Sequence, residues 1–381
     1  MTAVAAGSAL TTRAADPALP AGSALATYPD RRRVAGPGGA GALMALLAQA
    51  DVTDVLVNGA EVWVDRGRGL RRVGVWLGSA SDVARLAQRL AAAAGRRLDD
   101  GSPYVDARLP DGTRLHAVLP PIARDGPYLS LRTLRRRAFT LPELIAAGTV
   151  DAGGAALLAA LVAARLAYLV TGGTGAGKTT ILATLLSLVP PDERVVIVED
   201  AAELRPAHPH TVCLEARPSN VEGAGAVTLR ELVRQALRMR PDRLVVGECR
   251  GPEVIDLLGA LNTGHEGGAG TLHANSPADV PARLEALGLL GGVPREALHA
   301  QVCAALQVVV QVRTTPTGRV VDEVCLLLPS TQPRLVAAVP AWRRGAGPGP
   351  AATALADLLL RRGVTPPAVL SSGSPLPGGS P

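Results

Sequence analysis

Residues 172–179 of this 381-residue chain read GGTGAGKT, the spacing GxxxxGK[ST]. An apolar run, residues 167–171, leads into it, and TTILATLLSLV, with helical character, leads out. In that setting the pattern is a phosphate-binding loop. Glycines let backbone close round phosphate oxygens. The loop amides and the helix N-terminus turn positive potential toward the anion. Gly172, Gly173, Thr174, Gly175, Ala176, Gly177, Lys178, Thr179 and Thr180 are the candidate nucleotide-binding residues. Lys178 is suited to the β- and γ-phosphates and the Thr179 hydroxyl to Mg2+, so ATP and Mg2+ are the expected ligands. Among 39 Lys and Arg residues, Lys178 is the only lysine. An ammonium is a compact charge on a slim stem, whereas a guanidinium is a broad planar fork that a loop closed on phosphate excludes.

A phosphate loop names no reaction; carboxylates and cations nearby must do so. RVVIVEDAAEL sets Glu199, Asp200 and Glu203 at the end of the next apolar strand, where ligands sit in open α/β sheets. LVVGE ends another apolar strand in Glu248, placed to hold Mg2+ through water or to act as general base. NTGHEGGAGTLHAN brings His265 and His273 among glycines, as a pair able to sense or polarise a γ-phosphate. With no third ligand at hand they make a weak metal pair. Arg238, Arg240 and Arg243 precede the Glu248 strand; arginine suits charge on a phosphoryl group in flight, within one chain or across a subunit boundary.

The elements that must hold these groups fall into two blocks. Residues 1–38, rich in Ala, Gly, Pro and Ser, read as a flexible tail. Short strands broken by Gly and Asn, with two helices, make an α+β domain over 39–133, including a hairpin turning at Pro110-Asp111-Gly112. Residues 134–150 read as a linker containing one short helix. From 151 to 330 strands alternate with helices of 10 to 15 residues, which argues for a mainly parallel sheet. Residues 331–381 turn Pro/Gly-rich and read as a loose tail with one helical patch, TALADLLLRR.

Composition narrows the classes. Apolar residues make up 48% and charged residues 19%, a globular balance. The net charge of +6 admits an anionic partner, but an aromatic share of 2% leaves little for the stacking platforms of single-strand binders. Cys213, Cys249, Cys303 and Cys325 form no CxxC spacing, so neither zinc nor a redox motif is indicated. The N-terminus lacks the layout of a signal peptide and no apolar run is long enough for a membrane span, so a cytoplasmic chain able to dock on a membrane is expected.

GGTGAGKT, VEDAAEL, LVVGECRG and TGHEGGAGTLHANS occur in the order found in the type II/IV secretion ATPases, which the chain resembles over about residues 43–328. RPSNVEGAG and LRELVRQALRMRPDRLVVGECRG are especially similar to the tight-adherence (Tad/CpaF) pilus-assembly branch, as are DVTDVLVNG, DARLPDGTRLHAVLPP and LSLRT upstream. The resemblance implies a RecA-like P-loop NTPase motor domain behind a smaller α+β N-terminal domain, six subunits in a ring, and ATP bound between the two domains. It implies hydrolysis that drives a pilus or secretion machine at the inner face of the cytoplasmic membrane, with an inner-membrane platform protein as partner. Carried over by position, Lys178 and Thr179 meet phosphate and Mg2+. Glu199, Glu203 and Glu248 are the catalytic carboxylates, with Glu248 also near the metal. His273 contacts the γ-phosphate, and Arg238 and Arg240 are the catalytic arginines. Arg114 and Arg132 match N-terminal-domain arginines that face the nucleotide. Cys249 stands where Val or Ile is typical, and the resemblance stops after Pro329. A conjugative DNA motor and a nucleotide-dependent switch are the alternatives; the lack of an aromatic platform counts against direct nucleic-acid contact.

Overall fold

The computed structural model describes residues 40–49, 51–67, 69–133, 138–217, 219, 225–330 and 335–371. The tail expected over 1–38 lies outside them. The chain divides into two compact units, residues 1–135 and 136–381.

The first unit is an antiparallel sheet of β1 (Asp54–Asn58), β2 (Glu61–Asp65), β3 (Leu70–Val73), β4 (Tyr104–Arg108), β5 (Arg114–Val118) and β6 (Tyr128–Arg132), in the order β3-β2-β1-β6-β5-β4. Its central strands bury alternate residues, as a half-covered sheet requires. Helices α1 (Ala40–Leu47) and α2 (Ala80–Ala93) cover the buried face, setting Leu43, Leu46, Val83 and Leu86 against Val55, Val62, Leu115 and Leu131. α2 starts at a Ser79–Asp82 capping box, which satisfies two of the free amides at its end.

The second unit opens with α3 (Leu141–Ala146) and α4 (Ala152–Ala163). Then follow β7 (Tyr168–Gly172), α5 (Lys178–Leu186), β8 (Val195–Glu199), β9 (Thr211–Glu215), α6 (Leu229–Ala236), β10 (Arg243–Val246), α7 (Glu253–Leu261) and β11 (Ala269–His273). α8 (Val280–Leu290) and α9 (Arg295–Ala305) lead to β12 (Val308–Thr315) and β13 (Gly318–Pro329). β14 (Val336–Arg343), β15 (Gly347–Pro348) and α10 (Ala352–Arg361) complete it. The sheet order is β15-β14-β13-β12-β7-β11-β10-β8-β9. Strands β12, β7, β11, β10, β8 and β9 are parallel; β13 and β14 extend the sheet antiparallel. β7 and β8 are buried throughout, the mark of strands covered on both faces. Val195 and Ile197 meet the core under α4, α5 and α10, while Val196 and Val198 meet the core under α6 to α9.

The sequence expectation for residues 331–381 is corrected here. β14 pairs with β13 from Glu323↔Arg343 to Pro329↔Val336, and α10 buries Leu355 and Leu359 completely. The described part of this segment that forms β14 and α10 belongs to the second unit's core rather than to a loose tail; residues 331–334 and 372–381 lie outside the described residues. Within the linker expectation, residues 134–137 lie outside the described residues, whereas Leu144 of α3 and Val150 are packed into the same core.

Candidate functional site: a nucleotide site at the carboxyl end of the parallel sheet

β7 delivers the loop and α5 receives it. Gly172 has φ +153°, and a Cβ there would lie 2.4 Å from the Val312 carbonyl oxygen, so no other residue fits. Gly177, at φ +99°, is the N-cap of α5. Gly173, Thr174 and Gly175 are exposed, while the Ala176 methyl belongs to the core. Lys178 is buried, and its Nζ donates to the carbonyls of Gly172 at 3.1 Å and Gly173 at 3.0 Å. Burial lowers its pKa, opposed by the charge of Glu248. Thr179 and Thr180 are half-buried, and the Thr179 hydroxyl has no hydrogen bond among the described residues.

Two strands across, β10 ends and Glu248 follows. One of its oxygens lies 2.6 Å from His273 Nε2, and the other accepts from Arg250 at 2.5 Å. His273 ends β11, and its ring nitrogens stand 3.3 and 3.4 Å from Lys178 Nζ. Burial and the Lys178 ammonium hold His273 below the usual imidazole range. Despite that close approach of His273, the Glu248 oxygen facing it is buried and makes no hydrogen bond among the described residues, and Lys178 Nζ stands almost equally far from both ring nitrogens. Thr271 pins the strand end by donating to the Gly247 carbonyl at 2.6 Å. Lysine, histidine, glutamate and arginine thus form one contiguous group beside the phosphate loop.

Glu199 ends β8 and turns inward. It is 4% exposed and accepts from the amides of Glu203 and Leu204 at 3.1 Å. Burial pushes its pKa up to about 7. A Cβ on Gly247 would lie 2.5 Å from Glu199 Cγ, so this side chain packs directly against the glycine that precedes Glu248. Its visible work is to shape the turn bearing Asp200 and Glu203. Both those acids act on Arg250, raising its pKa after the larger effect of its Glu248 hydrogen bond. Arg250 was not among the sequence candidates, although it stands two residues past Glu248 in GECRG, which was signal enough.

Within the second unit, Arg238, Arg240, Arg243 and His265 are not brought to this group. Arg238 lies in a 3-10 turn and Arg240 is its left-handed cap, both exposed and both ahead of β10. Glu248 follows the opposite end of that strand, roughly 10 Å or more away at about 3.3 Å per residue. Arg243, at the start of β10, is 1% exposed and tied to Glu193 at 2.6 Å and to the Val162 carbonyl at 3.2 Å. It is a structural ion pair. His265 precedes β11 and its Nδ1 bonds the Ala260 carbonyl at 3.2 Å, closing the end of α7. Strand direction separates it from His273. Arg114 and Arg132, in the first unit, are direct cross-strand partners on β5 and β6; Arg132 bonds Asp54 at 2.8 Å and Arg114 stands 3.5 Å from Asp106.

The residues present fit a nucleotide and a hard cation. A hydroxyl with no other partner and a carboxylate give an oxygen donor set that suits Mg2+. A parallel sheet bearing a phosphate loop after a central strand, with a carboxylate at the end of a neighbouring strand, defines a RecA-like P-loop NTPase domain. The family model described as type II/IV secretion system protein matches residues 38–330. The chain belongs to the type II/IV secretion ATPase family. A putative conjugal transfer protein of Mycobacterium tuberculosis is 58% identical over 331 residues, covering 85% of this chain and 94% of that protein. Conjugal transfer protein TrbB of Rhizobium radiobacter is 30% identical over 288 residues, covering 74% and 85%. Among solved structures, the Legionella pneumophila ATPase DotB aligns with TM-score 0.56 at 21% identity, over 80% of this chain and 85% of that one. The pilus retraction motor PilT with bound ADP aligns with TM-score 0.53 at 21% identity, over 77% and 83%. These two show the fold alone.

Proposed function

We propose that the chain is a Mg2+-dependent ATPase. It works as a homohexamer at the inner face of the cytoplasmic membrane. There it powers assembly of a Tad/Flp-type pilus or a related secretion machine through an inner-membrane platform protein. The observation that carries the reading is Glu248, held between His273 and Arg250 beside Lys178. Glu248 orients the attacking water and takes its proton as the water oxygen bonds the γ-phosphorus and the bond to the β–γ bridging oxygen breaks. Lys178 and the loop amides stabilise the charge of the transferring group. Mg2+, bound by Thr179 and near Glu248, would supply neutralisation of the phosphate oxygens. Arg238 and Arg240 act in this reading on the nucleotide of an adjacent subunit. Among the described residues no helix is long and apolar enough to cross a membrane, which fits a peripheral motor.

The second reading, a conjugative DNA motor, is favoured by the names of the two relatives above. One experiment separates them. ATPase rate and assembly state are measured together for wild type and Glu248→Gln, with and without single-stranded DNA. DNA-independent turnover that rises as hexamers form and is lost in the variant supports the secretion motor. Strong, salt-sensitive stimulation by DNA supports the alternative. Hexamers that bind ATP without turning it over in any condition would sink the ATPase reading.

A further inference from the structure

The phosphate loop has a second neighbour, on the side of β7 away from His273 and Glu248. The β12–β13 hairpin closes there through Thr315↔Gly318 and Thr314↔Arg319. It is fastened to the loop's approach. Gln311 of β12 lies opposite Thr171, and their side chains share a buried hydrogen bond of 2.5 Å. Gln311 also donates to the Asn275 carbonyl at 3.0 Å, and the Val312 carbonyl closes the space beside Gly172. The tip of this hairpin carries Arg319. A Cβ added to Gly177 would come 3.2 Å from Arg319 Cδ, so the arginine stem runs along the last glycine of the loop. Neighbouring arginines of the sheet are paired: Arg313 of β12 is bidentate to Asp322 at 2.8 and 3.1 Å, and Arg343 of β14 bonds Glu323 at 2.7 Å. The Arg319 guanidinium is exposed and has no hydrogen bond or ion pair among the described residues.

We propose that Arg319 is a nucleotide-binding residue of its own chain, pairing with the phosphate next to the nucleoside. This rests on the reading of the loop as an ATP site. The sheet order fixes the polarity of the bound chain of phosphates. Glu248 and His273, which mark the γ end, stand on β10 and β11, to one side of β7. The α-phosphate and nucleoside must then leave toward the other side, where β12 and β13 lie. The loop amides there cradle the α- and β-phosphates, and an unpaired guanidinium is the group suited to clasp a phosphate edge. Arg319 meets a part of the ligand that ADP and ATP share. Its contribution is to ground-state binding, and it is a binding residue, not a charge stabiliser for the phosphoryl group in flight.

The test is calorimetric titration of the full chain with ADP, and steady-state ATP turnover, for wild type, Arg319→Ala and Arg319→Lys. Arg319→Ala is expected to weaken ADP binding and raise KM for ATP alike, by about tenfold or more, the scale of one charge-assisted hydrogen bond. The loss should fall on KM far more than on kcat, and Arg319→Lys should recover part of it. The thermal midpoint without nucleotide should match wild type, because the side chain is exposed and unpaired. Unchanged ADP affinity in Arg319→Ala overturns this proposal alone. A fall confined to kcat overturns it as well, placing Arg319 at the γ end. Wild type that binds no ADP would overturn the nucleotide reading together with this one.

Discussion

Lys178 Nζ is packed closely against two loop carbonyls at 3.0 and 3.1 Å and the His273 ring at 3.3 Å. Lys178→Arg is therefore expected to behave like Lys178→Ala, each losing 100-fold or more in kcat/KM, on the order of 3 kcal/mol of transition-state stabilisation. Turnover by Lys178→Arg within tenfold of wild type would show that the loop opens enough for a guanidinium. Glu199 makes a different prediction, about stability. Burial raises its carboxyl from 4.5 to about 7 in the folded protein, against the lowering effect of the Glu203 and Leu204 amides. A raised carboxyl binds its proton more tightly when folded, so its contribution is fully present below about pH 4.5. It is lost as pH climbs to about 7 and is flat above that. Gln at this position stays neutral and keeps an acceptor for both amides. Glu199→Gln should match wild type near pH 4.5 and exceed it at pH 8, by up to about 3 kcal/mol. Urea denaturation at the two pH values reads the difference directly, and equal gaps at both would mean that Glu199 is solvated.

At the scale of elements, β14 and α10 make the clearest demand. Leu355 is 0% exposed in the core that also holds Val170 beneath the loop. Leu355→Ala should lose about 2–5 kcal/mol in chemical denaturation, the range for truncating a buried leucine; a loss under about 0.5 kcal/mol would show a loose segment. The sequence hides this element for a physical reason. Pro340 interrupts the apolar run, and a proline reads as a strand breaker, yet here it sits opposite Cys325 where the register shifts, a position that spares the ladder. Trp342 then lies over Gly154, where a Cβ would meet its ring at 2.7 Å, a contact between distant segments. β9 carries no continuous apolar run to announce it, because it is half-exposed and at the sheet edge. β7, β8 and β10 were legible because their runs are apolar throughout. The loop, Glu248 and His273 were legible because each sits at a strand end. His265 and Arg240 were not separable by proximity in sequence, since only strand direction assigns them to the opposite end. Arg319 reaches Gly177 through the sheet order alone, so no local pattern announces it.

At the scale of the whole molecule, the placement of Arg238 and Arg240 bears on assembly. Each lies ahead of β10, and Glu248 lies after it, so one chain does not close its own site with these arginines. If they act in catalysis they do so on another subunit, through a heterologous interface that a ring closes. Lys178→Ala subunits keep the arginines and lack a working loop; Arg238→Ala/Arg240→Ala subunits keep the loop and lack the arginines. Each alone should be nearly inactive in turnover. Mixed in equal amounts and allowed to exchange, about a quarter of random interfaces pair an intact loop with intact arginines, so activity should return toward roughly a quarter of wild type. The mixture is compared with each variant alone at the same total concentration, above that needed for assembly. A mixture no more active than the sum of its parts, although mixed rings are seen by mass spectrometry, would remove both arginines from the reaction and leave them as surface charge. An Arg238→Ala/Arg240→Ala protein as active as wild type would do the same without any mixing.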